Sequence, residues 1–182
     1  LANGLSIERL ECHIEAVHKA AQELKDKITV LAGSEVDILA DGDLDYPDSL
    51  LAQLDIVVAS PHSALSQEPA KATRRLLKAI ENRYVTILGH PTGRLINRRE
   101  GLSPDMPRLI ATAVERGIAL EVNANNLRLD LRDNQARAAI EAGVKLSINT
   151  DAHGAGNLDE LPYGILTARR AGATKKDVVN CL

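Results

Sequence analysis

Residues 86–94 read Thr-Ile-Leu-Gly-His-Pro-Thr-Gly-Arg. The stretch begins as a short apolar run, and its glycine, histidine and proline then turn the chain. Apolar residues at helical spacing follow over Pro104–Arg116. Nearly continuous apolar runs are typical of parallel strands that are covered on both faces. The stretch therefore predicts a strand and a turn, which are followed by a helix.

The same unit recurs along the chain, because Val- and Ile-rich runs alternate with segments of helical periodicity. The predicted strands are Thr29–Leu31, Ile56–Ala59, Thr86–Leu88, Ala119–Val122 and Lys145–Ile148. The predicted helices are Ile7–Lys25, Glu68–Asn82, Pro104–Arg116, Asp133–Ala142, Leu161–Arg170 and Lys175–Leu182. Gly117 and Gly143 fall just after two of these helices, where a left-handed cap is favoured.

Alternating strands and helices close either into a barrel or into an open doubly wound sheet. The open sheet loses support because no G-x-G-x-x-G or G-x-x-x-x-G-K motif follows any predicted strand. We therefore expect an α/β fold of the βα-barrel type, formed by one domain over residues 1–182.

The composition limits the classes of function. Of the 182 residues, 45% are hydrophobic and 26% are charged, and the formal net charge of −3 gives no basic surplus for nucleic-acid or membrane binding. The absence of Phe and Trp excludes an aromatic platform for stacking bases. Cys12 and Cys181 lack C-x-x-C spacing, and no apolar run could span a bilayer or act as a secretory signal. We expect a cytoplasmic protein.

Side chains that can bind metals concentrate at the ends of the predicted strands. Glu35 follows the first strand, His62 the second and His90 the third. Asp151 and His153 follow the last strand. A lone histidine after a strand is more often structural, but the carboxyl ends of parallel barrel strands open on one face. The joint pattern therefore predicts that these side chains converge on one site.

The residue types in this site favour hydrolytic chemistry. Three imidazoles and two carboxylates suit Zn, Mn or Fe better than Ca or Mg alone. A metal pair or trio lowers the pKa of a bound water molecule enough to make hydroxide, and it holds the oxygens of a phosphoryl group. The sequence therefore favours the hydrolysis of phosphate esters.

Four other polar residues near the strand ends allow two interpretations each. Arg94 and Arg128 could bind a phosphate bidentately, or they could form salt bridges with Asp130 or Glu100. The remaining two, which either orient ligands or cap the next segment, are Asn123 and Asn125. Two histidines in the first predicted helix are expected to have no ligand role; they are His13 and His18.

Successive motifs of the chain resemble those of the polymerase-and-histidinol-phosphatase (PHP) domain. The resemblance covers nearly the whole chain and is closest to the version attached to bacterial family X DNA polymerases. The motifs that resemble the domain in general are Gly33–Asp37, Ala59–Ser63, Gly89–Arg94, Glu121–Asn125 and Asn149–His153. The stretches closest to the polymerase-linked version are Gly89–Arg94, Leu127–Asp130 and Ala168–Arg170.

The resemblance implies a distorted seven-stranded TIM-like barrel that holds up to three Zn, Mn or Fe ions and hydrolyses phosphate esters. It implies that Glu35 bridges two metals, that His62 and His90 complete the shell of one of them, and that Asp151 and His153 serve the others. We take Glu35, Asp151 and Arg94 as the candidate catalytic residues. In the polymerase fusions the domain resembles a 3′-end-processing exonuclease or 3′-phosphatase of DNA repair.

The chain departs from the family pattern at its front, where the His-x-His motif and the Asp and His that follow it have no counterpart. We expect an incomplete barrel that lacks its first strands, with weakened metal binding. The activity, with an upstream polymerase domain as partner, would then belong to the complete parent protein.

Three alternatives remain open on the sequence. A histidinol-phosphatase-like enzyme would act on a small phosphate ester. A degenerate barrel would serve as a scaffold module for a polymerase. An amidohydrolase-type barrel also collects His and Asp at strand ends, and it would differ in its substrate class.

Overall fold

Five strands form one parallel sheet in the order in which they occur along the chain. The computed structural model describes residues 4–181. The strands are β1 (Gly33–Asp37), β2 (Ile56–Ser60), β3 (Ile87–Leu88), β4 (Ala119–Asn123) and β5 (Leu146–Asn149). The helices are α1 (Ile7–Leu24), α2 (Asp48–Leu51), α3 (Pro69–Ile80), α4 (Met106–Arg116), α5 (Asp133–Ala142) and α6 (Leu161–Ala171).

The strand order and direction produce the geometry of a barrel segment. Every neighbouring pair of strands is parallel, and the register runs from Glu35 to Val58, then to Ile87 and on to Ala119. A parallel neighbour in sequence order requires a crossover, which α3, α4 and α5 supply between successive strands. Within residues 4–181, β1 and β5 form the two edges of the sheet, so the fold is an incomplete TIM-like βα barrel.

The core lies between the sheet and the helices α3 to α6. All five residues of β4 are buried, as expected for a strand that is covered on both faces. Leu76, Leu109 and Leu120 are fully shielded from solvent, and burial of each such side chain contributes about 1.5–3 kcal/mol. A smaller cluster packs Leu10 and Ile14 of α1 against Leu50 of α2 and Ala32, which precedes β1. None of the described helices has the length and apolarity required to cross a bilayer.

Helix ends agree well with the sequence patterns. Gly117 and Gly143 adopt the left-handed conformation with φ of 68° and 95°, so their prediction as caps is confirmed. Helix α4 begins at Met106, two residues after the predicted start, because the carboxylate of Asp105 caps it by accepting from the Arg108 amide at 3.2 Å.

The first predicted strand is wrong. Residues 29–31 form no strand, and β1 lies at Gly33–Asp37 instead. Leu31 is 51% exposed, whereas Val36 is fully buried, so the apolar run at 29–31 is not the segment that enters the sheet. Glu35 consequently lies within a strand and does not follow one.

The last predicted helix is also wrong. Lys175–Asp177 and Val179–Cys181 form two 3₁₀ turns. Between them Val178 is extended, with φ of −121°, and forms a parallel bridge to Leu146, which interrupts helical geometry. Residues 1–3 and Leu182, which belong to the predicted domain, lie outside the described residues. The one-turn helix α2 was not predicted.

Candidate metal centre

Three successive strands of the sheet place the candidate ligands side by side. Glu35 and Asp37 are two residues apart in β1 and therefore project from the same face. His62 follows the end of β2 by two residues, and His90 follows the end of β3 by two residues. Because β1, β2 and β3 are parallel neighbours, these positions meet at one edge of the sheet.

Glu35, His62 and His90 form a compact cluster. The Glu35 Oε1 atom lies 3.5 Å from His62 Nε2 and 3.2 Å from His90 Nε2. The two imidazole rings have centroids 4.9 Å apart and planes at 71° to each other. One donor atom from each residue lies within 4.8 Å of the other two, which is a separation that a single ion can bridge.

His90 provides the test of whether a metal fits this cluster. Its side chain is only 1% exposed, and neither ring nitrogen forms a hydrogen bond, although Nε2 lies 3.2 Å from Glu35 Oε1. Leaving a buried polar group without a partner costs about 1–3 kcal/mol. A divalent ion would satisfy the nitrogen that faces Glu35, and a set of one carboxylate and two imidazoles suits Zn, Mn or Fe. The residues therefore fit a metal.

Hydrogen bonds prepare Glu35 and His62 for ligation. Burial raises the pKa of Glu35, but its polar contacts with His62, His90 and Ser60 outweigh burial and hold that pKa well below its ordinary value. Hydrogen bonding to Glu35 raises the pKa of His62 against the effect of burial. The other ring nitrogen of His62, Nδ1, contacts the Asp37 carboxylate, which turns Nε2 towards Glu35.

A buried arginine joins the loops that carry the cluster. Arg75 of α3 is 1% exposed and donates to the carbonyl oxygens of Ile38, after β1, and Ser63, after β2, the latter at 2.8 Å. Gly89, which directly follows β3, allows the neighbouring strand β2 to approach closely. A Cβ atom at this position would overlap the Ser60 hydroxyl and lie 2.9 Å from Val58 Cγ1.

Two buried carboxylates hold the turn at His90. Glu121 of β4 accepts from the His90 amide at 2.6 Å, and one oxygen of Asp130 accepts from the amides of Thr92 and Gly93 and from the Thr92 hydroxyl at 2.8–3.0 Å. Burial raises the pKa of both carboxyl groups. The turn places His90 at a positive φ of 23°, a region that is uncommon for residues other than glycine.

The chain is similar in sequence to several known proteins. No family model matches the chain. The chain is 44% identical over 180 residues to the DNA polymerase/3′-5′ exonuclease PolX of Bacillus subtilis (strain 168), and the match covers 99% of the chain and 31% of that relative. It is 29% identical over 172 residues to a probable phosphatase of Thermoanaerobacter sp. (strain X514), covering 89% of the chain and 68% of the relative.

A probable phosphatase of Clostridium acetobutylicum is 34% identical over 148 residues, which cover 75% of the chain and 57% of that relative. These relatives are consistent with a domain of the polymerase-and-histidinol-phosphatase (PHP) type. The chain is related to PolX and spans less than a third of the B. subtilis protein's length.

The structure does not bring all five predicted ligands into one cluster. Within the described residues, the cluster contains neither Asp151 nor His153. Asp151 instead accepts from the Asn123 side chain at 3.2 Å and lies 3.6 Å from Arg128 Nε. The His153 side chain is 84% exposed, and its Nδ1 lies 2.8 Å from the backbone oxygen of Asp151.

Arg94 forms hydrogen bonds with backbone carbonyls and not with a carboxylate. Its guanidinium donates to the backbone carbonyls of Arg128, at 2.8 Å, and Leu129, so it supports a loop and forms no ion pair with Asp130 or Glu100. Burial, followed by the nearby charge of Arg132, lowers the pKa of Arg94.

Asn123 orients the side chain of Asp151, and both Asn123 and Asn125 cap backbone amides of the segment that follows β4. Asn123 donates to Asp151 and accepts from the Asn125 amide at 3.0 Å, and Asn125 accepts from the Leu127 amide at 2.9 Å. Among the histidines of α1, His18 lies 3.4 Å from the Asp55 carboxylate, away from the cluster.

The sequence interpretation missed Asp37, Glu121 and Asp130 as supporting residues. Asp37 carried a usable signal, because residues i and i+2 of a strand share a face. Glu121 and Asn123 carried another, since alternating polar residues in an otherwise apolar strand indicate a face that is turned towards a site. Nothing local marked Asp130, whose partners lie 37 and 38 residues away in the chain.

Proposed function

We propose that this chain, as part of a longer parent protein, hydrolyses phosphate esters at DNA 3′ ends, as a 3′-5′ exonuclease or 3′-phosphatase of DNA repair. The observation that carries the proposal is the buried His90, whose unpartnered ring nitrogens lie beside Glu35 and His62. The name of the B. subtilis relative supports DNA as the substrate. Because the chain covers 31% of that relative, we also propose a polymerase domain as its partner within a longer protein.

Each residue of the cluster has a defined part in the proposed site. Glu35, His62 and His90 would hold a Zn, Mn or Fe ion, and such an ion supplies Lewis-acid polarisation of water and of a phosphoryl oxygen. The lowered pKa keeps Glu35 ionised at neutral pH. Asp37 holds a proton on His62 Nδ1 and thereby leaves Nε2 as the donor atom.

Further ligands are proposed at the end of β5. Asp151 would serve a second ion and His153 a third, as the family resemblance implies. Arg128, which lies 3.6 Å from Asp151, provides the compensating positive charge in the structure. Arg94 was a candidate catalytic residue, and we now propose that it supports the loop beside the site, because backbone carbonyls accept its hydrogen bonds.

A small phosphate ester is the second candidate substrate. It is favoured by the relatives that are named as probable phosphatases, one of which the chain covers to 68% of its length. Such a substrate would require the same cluster, so the two proposals differ only in which ester is hydrolysed.

Phosphate release distinguishes these proposals. The chain, loaded with Mn, is incubated with a 3′-phosphorylated oligonucleotide and separately with histidinol phosphate. We expect release from the oligonucleotide, loss of release in His90→Ala, and normal release in the matched variant His13→Ala, which alters an exposed histidine of α1. Faster release from histidinol phosphate would favour the small ester. A chain that retains metal but hydrolyses neither ester would support the scaffold module.

A further inference from the structure

A pocket with four arginines lies next to the turn that carries His90. It has a volume of about 430 Å³, and its charged lining residues are Arg94, Arg98, Arg99, Glu100 and Arg132. The formal net charge of the whole chain is −3. Four guanidinium groups and one carboxylate therefore make this pocket a local concentration of positive charge on an acidic protein.

The positive charge of the pocket is not neutralised by neighbouring carboxylates. Among residues 4–181, none of the four arginines has a carboxylate oxygen within 4.0 Å, whereas Arg170 is paired with Asp133 at 3.0 Å. Arg99 donates from Nε and Nη2 to the Gly93 carbonyl at 2.9 and 2.7 Å. These hydrogen bonds orient the Arg99 guanidinium, and because the acceptor is uncharged they leave its positive charge intact. Arg98 and Arg132 are exposed.

The lining residue Arg99 connects the pocket to the turn that carries His90. The Gly93 amide donates to the His90 carbonyl at 2.8 Å, and the same Gly93 accepts both bonds from Arg99. The Leu102 amide donates to the Thr92 carbonyl at 2.7 Å and closes the loop between them. A ligand in the pocket therefore lies beside the residues that position His90.

The chemistry of the lining selects phosphate groups. A guanidinium group matches the geometry of a phosphate and binds it through paired hydrogen bonds. The uncharged lining residues are Leu95, Ile96 and Asn97, so no aromatic ring is present to stack on a base. The pocket can thus recognise a backbone and not a base sequence.

We propose that this pocket binds a phosphodiester group of the polynucleotide strand whose 3′ end reaches the Glu35–His62–His90 centre. The inference rests on the proposed function and extends it by assigning the site that holds the strand. Binding of this kind releases condensed counterions, so its affinity falls as the salt concentration rises and is independent of base sequence.

The test measures strand binding without the metal centre. A fluorescein-labelled oligothymidylate is titrated with the full chain in the presence of a chelator, over a series of KCl concentrations, and its anisotropy is recorded. Arg98→Ala/Arg132→Ala removes two pocket charges. Arg74→Ala/Arg116→Ala is the matched control, because it removes the same charge from exposed positions of α3 and α4 outside the pocket.

We expect Arg98→Ala/Arg132→Ala to weaken binding on the order of tenfold at low salt and to reduce the slope of log affinity against log salt by about 1.4, since each contact with a single strand contributes roughly 0.7. The control should change affinity less than about twofold. Equal affinity and slope in the parent and the pocket variant would overturn the proposal.

Inorganic pyrophosphate distinguishes a strand from a small phosphate. If pyrophosphate protects Arg98 and Arg132 from a guanidine-modifying reagent while the oligonucleotide does not, the pocket takes small phosphates and the strand proposal is wrong. Failure of the strand-binding proposal can be distinguished from failure of the proposed function. Failure of hydrolysis with normal strand binding would contradict that function alone, and normal hydrolysis with unchanged binding in the pocket variant would contradict the pocket alone.

Discussion

Replacement of Asp130 by alanine should destabilise the protein by about 3 kcal/mol. One oxygen of this fully buried carboxyl accepts three hydrogen bonds, from the amides of Thr92 and Gly93 and from the Thr92 hydroxyl. Alanine removes these three buried hydrogen bonds, and each contributes about 1 kcal/mol. Asparagine keeps an oxygen at the position that the donors face, so it should remain within about 1 kcal/mol of the parent.

Urea denaturation followed by circular dichroism measures this effect. With a slope of about 2 kcal/mol/M, the loss corresponds to a midpoint that is lower by about 1.5 M. Asp133→Ala is the control, because the Asp133 side chain is partly exposed, pairs with Arg170 and accepts from the Asn134 amide, and its loss should cost less than about 1 kcal/mol. If Asp130→Ala lowers the free energy of unfolding no more than Asp133→Ala does, the three hydrogen bonds do not hold the His90 turn.

Three further predictions concern packing, ligand orientation and pH. Gly89→Ala should destabilise the protein by about 1–3 kcal/mol in the same urea assay, because the new Cβ overlaps the Ser60 hydroxyl. A smaller loss of unfolding free energy would show that β2 and β3 can separate freely. Asp37→Asn should weaken Zn affinity by about 10–100-fold in calorimetric titration through loss of the carboxylate that orients His62, and unchanged affinity would exclude that role. Burial raises the pKa of Asp130 above its ordinary 3.8, so the folded state binds a proton more tightly than the unfolded chain, and stability should fall as the pH rises above that value. Asp130→Asn should lack this fall in stability when unfolding midpoints are measured from pH 4 to 8. If the midpoints of the parent and of Asp130→Asn change with pH in parallel, the prediction is wrong.

The grouping of Glu35, His62 and His90 could be predicted because it depends on strand order. Parallel strands that follow one another in sequence bring their carboxyl ends together, whatever the details of the loops. Asp151 and His153 obey the same rule but follow β5, at the far edge of the sheet from β1. The rule alone therefore does not place them within reach of the ion that Glu35 would bind.

The strand β1 could not be located from apolar runs because the site itself occupies one of its faces. Its sequence alternates Glu35 and Asp37, which face the site, with Val36, which enters the core. A search for continuous apolar residues instead selected Thr29–Leu31, whose Leu31 is exposed. The functional demand for carboxylates thus overrides the pattern that a buried parallel strand normally shows.

The roles of Arg94 and Asp130 depend on loop conformations that no local pattern specifies. Arg94 was expected to meet a phosphate or a carboxylate, and it meets the carbonyls of residues 128 and 129. Asp130 was considered only as a partner for an arginine, and it binds the turn after His90. Both outcomes follow from contacts between segments that are more than thirty residues apart.

Metal titration of the chelator-treated chain tests the Glu35–His62–His90 centre most directly. Calorimetry with Zn, repeated with Mn, would be run on the parent, on Glu35→Ala/His90→Ala and on the exposed-histidine control His13→Ala. We expect about one ion per chain in the parent and in the control, and no saturable binding in the double variant. Absence of binding in the parent, or binding that survives in the double variant, would show that these three residues do not form a metal centre.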